Sequence, residues 1–282
     1  MKPSAVLRFF YCGKGDTILL QASPADESPD EWALVDCHLT KVSGAHWRVR
    51  DLIEREKIDR LKFVCLTHPD RDHYFGMSSL LREHFYDASN DQVAVDEFGD
   101  SGIEFTMLSA IAHRMGHEKI TDELDELYAK LLAKLIHAGK LEHQPMTRGT
   151  LATTDFGDFN LLSLSPRATR VDCFNQQGVD AILGAPFSDI HAKREQTNAL
   201  SVVLVLMHKT QPINIVLGGD ATAKTWAEAL EVWPKLLQKL NRTRRQFAAV
   251  KVSHHGAESS LCPDLYNDYC WGRRTIAILT VP

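Results

Sequence analysis

His68, Asp70, Asp72 and His73 fall within six consecutive positions of the stretch LTHPDRDHYFG. Imidazole nitrogens and carboxylate oxygens at this density are the donors that divalent metal ions take. Two other short clusters carry the same chemistry. GGD ends in Asp220, and HHG contributes His254 and His255. Brought together, these seven side chains suffice for two divalent ions, with one carboxylate bridging them. Asp70 is the odd member, an oxygen donor where a zinc enzyme more often places an imidazole. A carboxylate hardens the site and moves it toward Mn²⁺ or Mg²⁺ as well as Zn²⁺. Hard ions pair well with phosphate oxygens, so phosphodiester hydrolysis is favoured over amide or thioester hydrolysis. Taken singly, each cluster is also compatible with an ordinary solvated loop.

The three clusters share a position. HPDRDH follows KFVCLT (62–67), GGD follows INIVL (213–217), and HHG follows FAAVKVS (247–253). Strand ends on one edge of a layered α/β fold can converge on one cleft. The remaining elements fit such layering. AVLRFFYC (5–12), TILLQA (17–22) and WALVDC (32–37) are short, apolar and rich in β-formers. Residues 43–57 have helical spacing, and a further helix is expected from Gly76. FNLLSL (159–164), LSVVLVLM (200–207) and TIAILTV (275–281) read as strands, and 224–240 as a helix. Residues 84–150 are more polar. They contain an amphipathic helix over 121–139, with Leu124, Leu127, Leu131, Leu132 and Leu135 on one face. Thr121 stands at its start and Gly139 at its end. This region is read as a helical insertion in a single domain spanning 1–282.

Composition excludes some alternatives. The 282 residues are 44% hydrophobic and 24% charged, with a net charge of −5. That argues against a surface coated in basic residues, so any nucleic-acid contact must be local. KLLQKLNRTRRQ (235–246) and GRR (272–274) are the two basic tracts, and each is equally well a solvated helix end. Six cysteines are scattered without a CxxC pair and read mostly as buried free thiols. No leader peptide is expected at MKPSAVLRFFYCGKGD, and no apolar run reaches the roughly 18 residues that span a bilayer. A soluble, cytoplasmic protein is expected.

Several separated pieces carry a resemblance. HxDxDH at 68–73 resembles the HxHxDH motif of the metallo-β-lactamase superfamily. Within it, the chain is most similar to the soluble hydrolase domain of ComEC-type DNA-uptake proteins. GKGDTILL resembles that group's GxGD turn, and ALVDCH its VDxG element with His38 where Gly is usual. TNALSVVLVL is similar to its Asn-x-x-Ser strand, LGGDAT to its TGD, and VKVSHHGAESS to its SHHGSxxS. The matches spread over residues 6–260 except the 84–150 region.

The resemblance implies an αβ/βα sandwich and a set of roles. His68 and Asp70 would bind a first metal, Asp72 and His73 a second. Asp220 would bridge, and His255 would complete the second site. Asp72 or Asp220 would orient the attacking water, and His254 would contact the substrate or donate a proton. Asp16 and Asp36 would orient ligands, and Ser259 is a candidate phosphate contact. One departure stands out. The superfamily supplies a further histidine to the first metal, and LSLSPRA puts Ser165 in that place. Water, His113, His117, His137, His143 or His191 are the alternatives. The implied activity is a two-metal nuclease acting on DNA. The chain stops at TIAILTVP where related domains run on, which reads as a module working with a protein partner, such as an anti-phage effector. A small-molecule phosphodiesterase of the phosphorylcholine-esterase type and a degenerate binding subunit are the competing readings.

Overall fold

Apolar residues on both faces of most strands require cover on both sides. In β4 (Leu61–Leu66), Phe63 and Cys65 enter one core cluster while Leu61, Val64 and Leu66 enter another. The computed structural model describes residues 5–10, 15–24, 28–39, 49–104, 123–182, 197–270 and 274–280. Cys12, His113, His117, Thr121 and His191 lie outside these residues, as does the first part of the expected 43–57 helix.

Before β4 come β1 (Ala5–Phe9), β2 (Ile18–Ala22), β3 (Glu31–Val35) and helix α1 (Val49–Glu56). After it come α2 (Arg71–Tyr74), α3 (Met77–His84), a short hairpin of β5 (Tyr86–Asp87) and β6 (Gln92–Val93), and β7 (Val95–Asp100). Helix α4 is π-wound over Asp125–Leu132 and α-helical over Ala133–His137, and leads to β8 (Glu142–Pro145). The second half holds β9 (Phe159–Ser163), α5 (Ala168–Ile182), β10 (Leu204–His208), β11 (Asn214–Leu217), α6 (Ala223–Lys239), β12 (Ala249–Lys251), α7 (Pro263–Asp268) and β13 (Ile276–Ile278).

The first sheet has the order β1-β2-β3-β4-β7-β8 and the second β13-β12-β11-β10-β9. Ile18, Leu20, Ala33, Val35, Phe63, Leu204, Leu206 and Leu217 fill the space between them. Leu52, Leu80, Leu127 and Leu131 cover the outer face of the first sheet. Trp226, Ala229, Leu230, Trp233 and Leu237, one stripe of α6, cover the second. The result is the αβ/βα sandwich expected from the sequence.

The 84–150 region differs from the expectation of a mostly helical insertion. Val95–Asp100 is a parallel strand beside β4, with Phe63 opposite Glu97 and Leu66 opposite Asp100. Glu142–Pro145 extends the same sheet. VDEFGD carries three acidic residues and a glycine in six positions, so no apolar run announced it. Glu97 is buried and accepts hydrogen bonds from Thr153 and Thr154, which lets a charge sit inside the sheet.

Topology decides where the motifs meet. β3, β4, β7 and β8 run parallel, as do β11, β12 and β13. β9 is antiparallel to β10, which is antiparallel to β11, so β9 ends where β11 ends. The two sheets touch at that edge, where Val202 N donates to Thr67 O at 2.8 Å.

Candidate metal centre

β3 and β4 end beside one another, and the next residues tie their loops together. Asp36 has a positive φ of 56° and is fully buried. Its Oδ1 accepts from Thr67 N at 2.7 Å and its Oδ2 from Thr67 Oγ1 at 2.8 Å and His73 Nδ1 at 2.7 Å. Thr67 Oγ1 has spent its proton on Asp36, so it accepts from His68 Nδ1 at 3.1 Å. One carboxylate therefore fixes both ring orientations. The Nε2 atoms of His68 and His73 point away from Asp36, into the space shared with Asp220.

Asp220 arrives from the second sheet on a Gly-Gly turn. A side chain at Gly218 would place its Cβ 2.2 Å from Ser253 Oγ, and one at Gly219, where φ is +51°, would place it 2.9 Å from Thr67 Oγ1. Only glycine permits that approach. Asp220 Oδ1 then lies 3.4 Å from His73 Nε2, and Oδ2 lies 4.0 Å from His68 Nε2 and 3.8 Å from His254 Nε2. His254 and His255 both take left-handed backbone, with φ of 47° and 52°. That sharp turn splits their roles. His255 Nδ1 donates to Thr280 O at 2.8 Å, leaving Nε2 facing the site, while the His254 side chain is 37% exposed.

The donor atoms fit a cation. His68 Nε2, His73 Nε2, Asp220 Oδ1 and His255 Nε2 are buried without a hydrogen-bond partner. Unpaired buried polar atoms are costly, and four aimed at one space call for a shared ligand. Among the described residues three triads have donor atoms within 4.8 Å of one another: His68, His73 and Asp220; Asp72, Asp220 and His255; and Asp16, Asp36 and His73, the last already engaged, Asp36 with His73 and Thr67 and Asp16 with Lys251 and Thr280. Asp220 belongs to the first two. Asp70 Oδ2 is 3.7 Å from His68 Nε2, and its side chain is 26% exposed.

Charge follows this geometry. Burial, reinforced by the charge on His73, pushes the His68 imidazole down to about 4. Burial opposes charge on His73 too, but Asp36 and Asp220 outweigh it and raise its pKa well above the usual value. Burial works against the Asp220 carboxylate, yet His73, His68 and Lys251 hold it well below its ordinary range. For Asp70, burial wins, helped by Asp72 against the pull of His73, and lifts it to about 6. A cation at Asp220 would displace the His73 proton and relieve both effects.

Asp16 does not bond a candidate ligand directly. Its fully buried carboxylate accepts from Lys251 Nζ and, at 2.9 Å, from Thr280 Oγ1. Lys251 Nζ also donates to Gly219 O at 3.3 Å. This one ion pair thus reaches the backbone next to Asp220 and the residue holding His255. Burial penalises both charges, but each partner's field keeps the other ionised. Gly15, from the same turn, lies so close to His38 that a Cβ would fall 1.8 Å from its Nδ1. The His38 Nδ1 stands 3.2 Å from Asp72 O, so the histidine found where Gly is usual packs against the metal-motif loop.

Ser165 is buried, and its carbonyl accepts from Ser163 Oγ at 2.6 Å. Ser259 is exposed, whereas Ser260 beside it is buried with its Oγ unpartnered. His137 is exposed on α4. His143 Nε2 donates to Asp100 Oδ2 at 3.1 Å, which commits it elsewhere. Four contributors escaped the sequence reading: Thr67, Lys251, Thr280 and Thr197, whose side chain hydrogen-bonds Asp70. Lysine in the otherwise apolar strand AAVKVS was the available signal. A buried strand lysine demands a carboxylate partner.

No family model matches the chain. A ribonuclease Z of Streptococcus mutans is 28% identical over 91 residues, which are 30% of this chain and 29% of that protein. Among solved structures, a β-lactamase domain protein from Burkholderia ambifaria is 13% identical with a TM-score of 0.44. That match covers 89% of this chain and 65% of the other. A long form RNase Z from yeast is 11% identical with a TM-score of 0.41, over 98% of this chain and 41% of the other. The chain spans less than a third of the curated relative it matches. Among the described residues, no helix is long and apolar enough to cross a membrane.

Proposed function

We propose that this chain is a metal-dependent phosphodiesterase that cleaves nucleic acid, with DNA as the first substrate to test. The observation that carries this reading is the set of unpartnered buried donors around Asp220. His68 and Asp70 are assigned to one cation, Asp72, His73 and His255 to a second, and Asp220 to both. Two divalent ions, Mn²⁺ or Zn²⁺ with Mg²⁺ also admissible, would supply Lewis acidity and lower the pKa of a water. Asp72 or Asp220 would orient the attacking water by accepting a hydrogen bond from it. His254, beside Asp220 and 37% exposed, holds the proton for the leaving oxygen. The carboxylate at position 70 supports an oxygen-loving site suited to phosphate.

RNA is the second reading, favoured by the 91-residue match to a protein named ribonuclease Z. Incubation of the full chain with Mn²⁺ and plasmid, circular single-stranded DNA, structured RNA or bis-nitrophenyl phosphate separates the possibilities. Cleavage of a nucleic acid supports the reading and chooses between DNA and RNA. Turnover of the nitrophenyl ester with every nucleic acid intact would overturn it in favour of a small-molecule esterase.

A further inference from the structure

Three arginines meet at one carboxylate on the edge of the sandwich that carries the metal-binding motifs. Arg170 and Arg167 reach Glu228 at 2.7 Å and 3.1 Å, and Arg148 at 3.4 Å. They come from separate elements. Arg148 follows β8, Arg167 immediately precedes α5, Arg170 lies in its first turn, and Glu228 is in α6. β8 and β9 both end on this edge and α6 begins there. Backbone bonds pin the arrangement, with Arg148 N donating to Pro166 O at 2.7 Å and Leu164 N to Val203 O at 2.9 Å.

The cluster adjoins the metal centre through one short segment. Arg170 Nη1 donates to Ala199 O at 3.3 Å. Two residues earlier in the chain, Thr197 bonds Asp70, and three residues later Val202 bonds Thr67 O. Thr197 and Ala199 are at most about 7 Å apart along the chain, so one short segment contacts both the cluster and Asp70. Arg167 occupies the loop just past Ser165, where a further metal ligand was expected. That loop offers a guanidinium in place of an imidazole.

Three guanidinium groups share one carboxylate, so two positive charges are uncompensated within the cluster. Arg167 is 44% exposed, Arg170 26% and Arg148 17%. Burial, together with the neighbouring charges of Arg167 and Arg170, lowers the Arg148 pKa despite Glu228. Arg148 and Arg170 also donate to the carbonyls of Leu164 and Ala199, at 3.3 Å each, which leaves Arg167 the most exposed of the three. A surplus of planar, fixed donors facing solvent suits an oxyanion.

We propose that Arg148, Arg167 and Arg170, splayed on Glu228, bind a backbone phosphate of a nucleic-acid strand a few nucleotides from the phosphate being cut. This rests on the phosphodiesterase reading, and the cluster and the metal-site candidates share one edge of the sandwich. It also answers how a chain of net charge −5 holds a polyanion, through a local patch.

The test compares the Mn²⁺-loaded full chain with Arg167→Ala, Arg170→Ala and Arg167→Lys on a fluorescent single-stranded 20-mer, between about 50 and 200 mM salt. Thermal melting checks that each variant folds, and Arg167 is exposed enough for its removal to be tolerated. Arg167→Ala is expected to raise KM about tenfold with kcat little changed. The slope of log(kcat/KM) against log salt should fall by about 0.7, one single-strand phosphate contact. Arg167→Lys should recover most of the slope. Unchanged KM and slope in both alanine variants, while the wild type cuts the 20-mer, would overturn the subsite and leave the phosphodiesterase reading intact. A wild type that turns over bis-nitrophenyl phosphate but neither binds nor cuts the 20-mer, plasmid or structured RNA would overturn the nucleic-acid reading and the subsite together.

Discussion

On one side of Asp220 both histidines are tied from behind by buried groups, and on the other side the carboxylate of Asp70 is held more loosely. His73 is held by Asp36, His255 by Thr280, and the Gly219 carbonyl next to Asp220 by a buried lysine that is itself held by Asp16. Opposite them, His68 is fixed through Thr67, but Asp70 leans on Thr197 and is partly exposed. Ser165 stands in the loop expected to supply a further ligand. Metal affinity depends on how well the donors are held as well as on which donors they are. The two halves should therefore bind unequally, a tight site toward His255 and an exchangeable one toward Asp70.

Removing what the halves share gives the largest effect. Asp220→Ala should abolish uptake at both positions and cut kcat by more than the roughly 100-fold that loss of an orienting partner costs. Isothermal titration with Mn²⁺ and a kinetic assay check this, and retained two-site binding would break the comparison. Next is Lys251→Met, which leaves Asp16 buried and unpaired and should cost about 3–5 kcal/mol of stability in chemical denaturation. Asp16→Leu added to it should recover stability but not the tighter metal affinity. If affinity recovers too, the ion pair serves only the fold. Asp36→Asn should weaken the tighter site about 10- to 100-fold by misdirecting His73, with a smaller effect through Thr67 on His68. Asp70→His is a gentler change on the looser side. It should shift preference from Mn²⁺ toward Zn²⁺ in competition titrations with the fold intact.

Much of this asymmetry was legible in the sequence, and some of it could not be. The clusters at 68–73, 218–220 and 254–256 follow strands whose apolar runs are plain, so their convergence could be argued. The strands Val95–Asp100 and Glu142–Pro145 could not, because parallel pairing tolerated Glu97 only where Thr153 and Thr154 came round to meet it. Asp36 was visible as an orienting residue, but its double hold on His73 and Thr67 needs the two loops in register. Lys251 lies in an otherwise apolar strand, and its partner Asp16 is 235 residues away. Such a pairing has no local signature. The arginines around Glu228 are similarly scattered over 148–228, and neither basic tract singled out by composition includes them.

The smallest expected effect lies outside both halves. Burial opposes charge on His143, but its hydrogen bond to Asp100 wins and raises its pKa. That stabilisation is fully present below the ordinary histidine pKa of about 6.5 and is lost as pH rises through the folded value. Stability of wild type and His143→Gln, measured from pH 5 to 9, should converge at the alkaline end. Metal affinity at fixed pH should be the same in both, and a change there would mean that the Asp100 cluster also braces the centre.

Anomalous diffraction at the manganese edge, from crystals equilibrated at low and high Mn²⁺, addresses the central claim directly. Two peaks a few ångströms apart on either side of Asp220 are expected, with the His255 side filled at low concentration and the Asp70 side filling only at high. No peak at Asp220, a single peak at saturating Mn²⁺, or the Asp70 side filling first would contradict a two-metal centre with unequal halves.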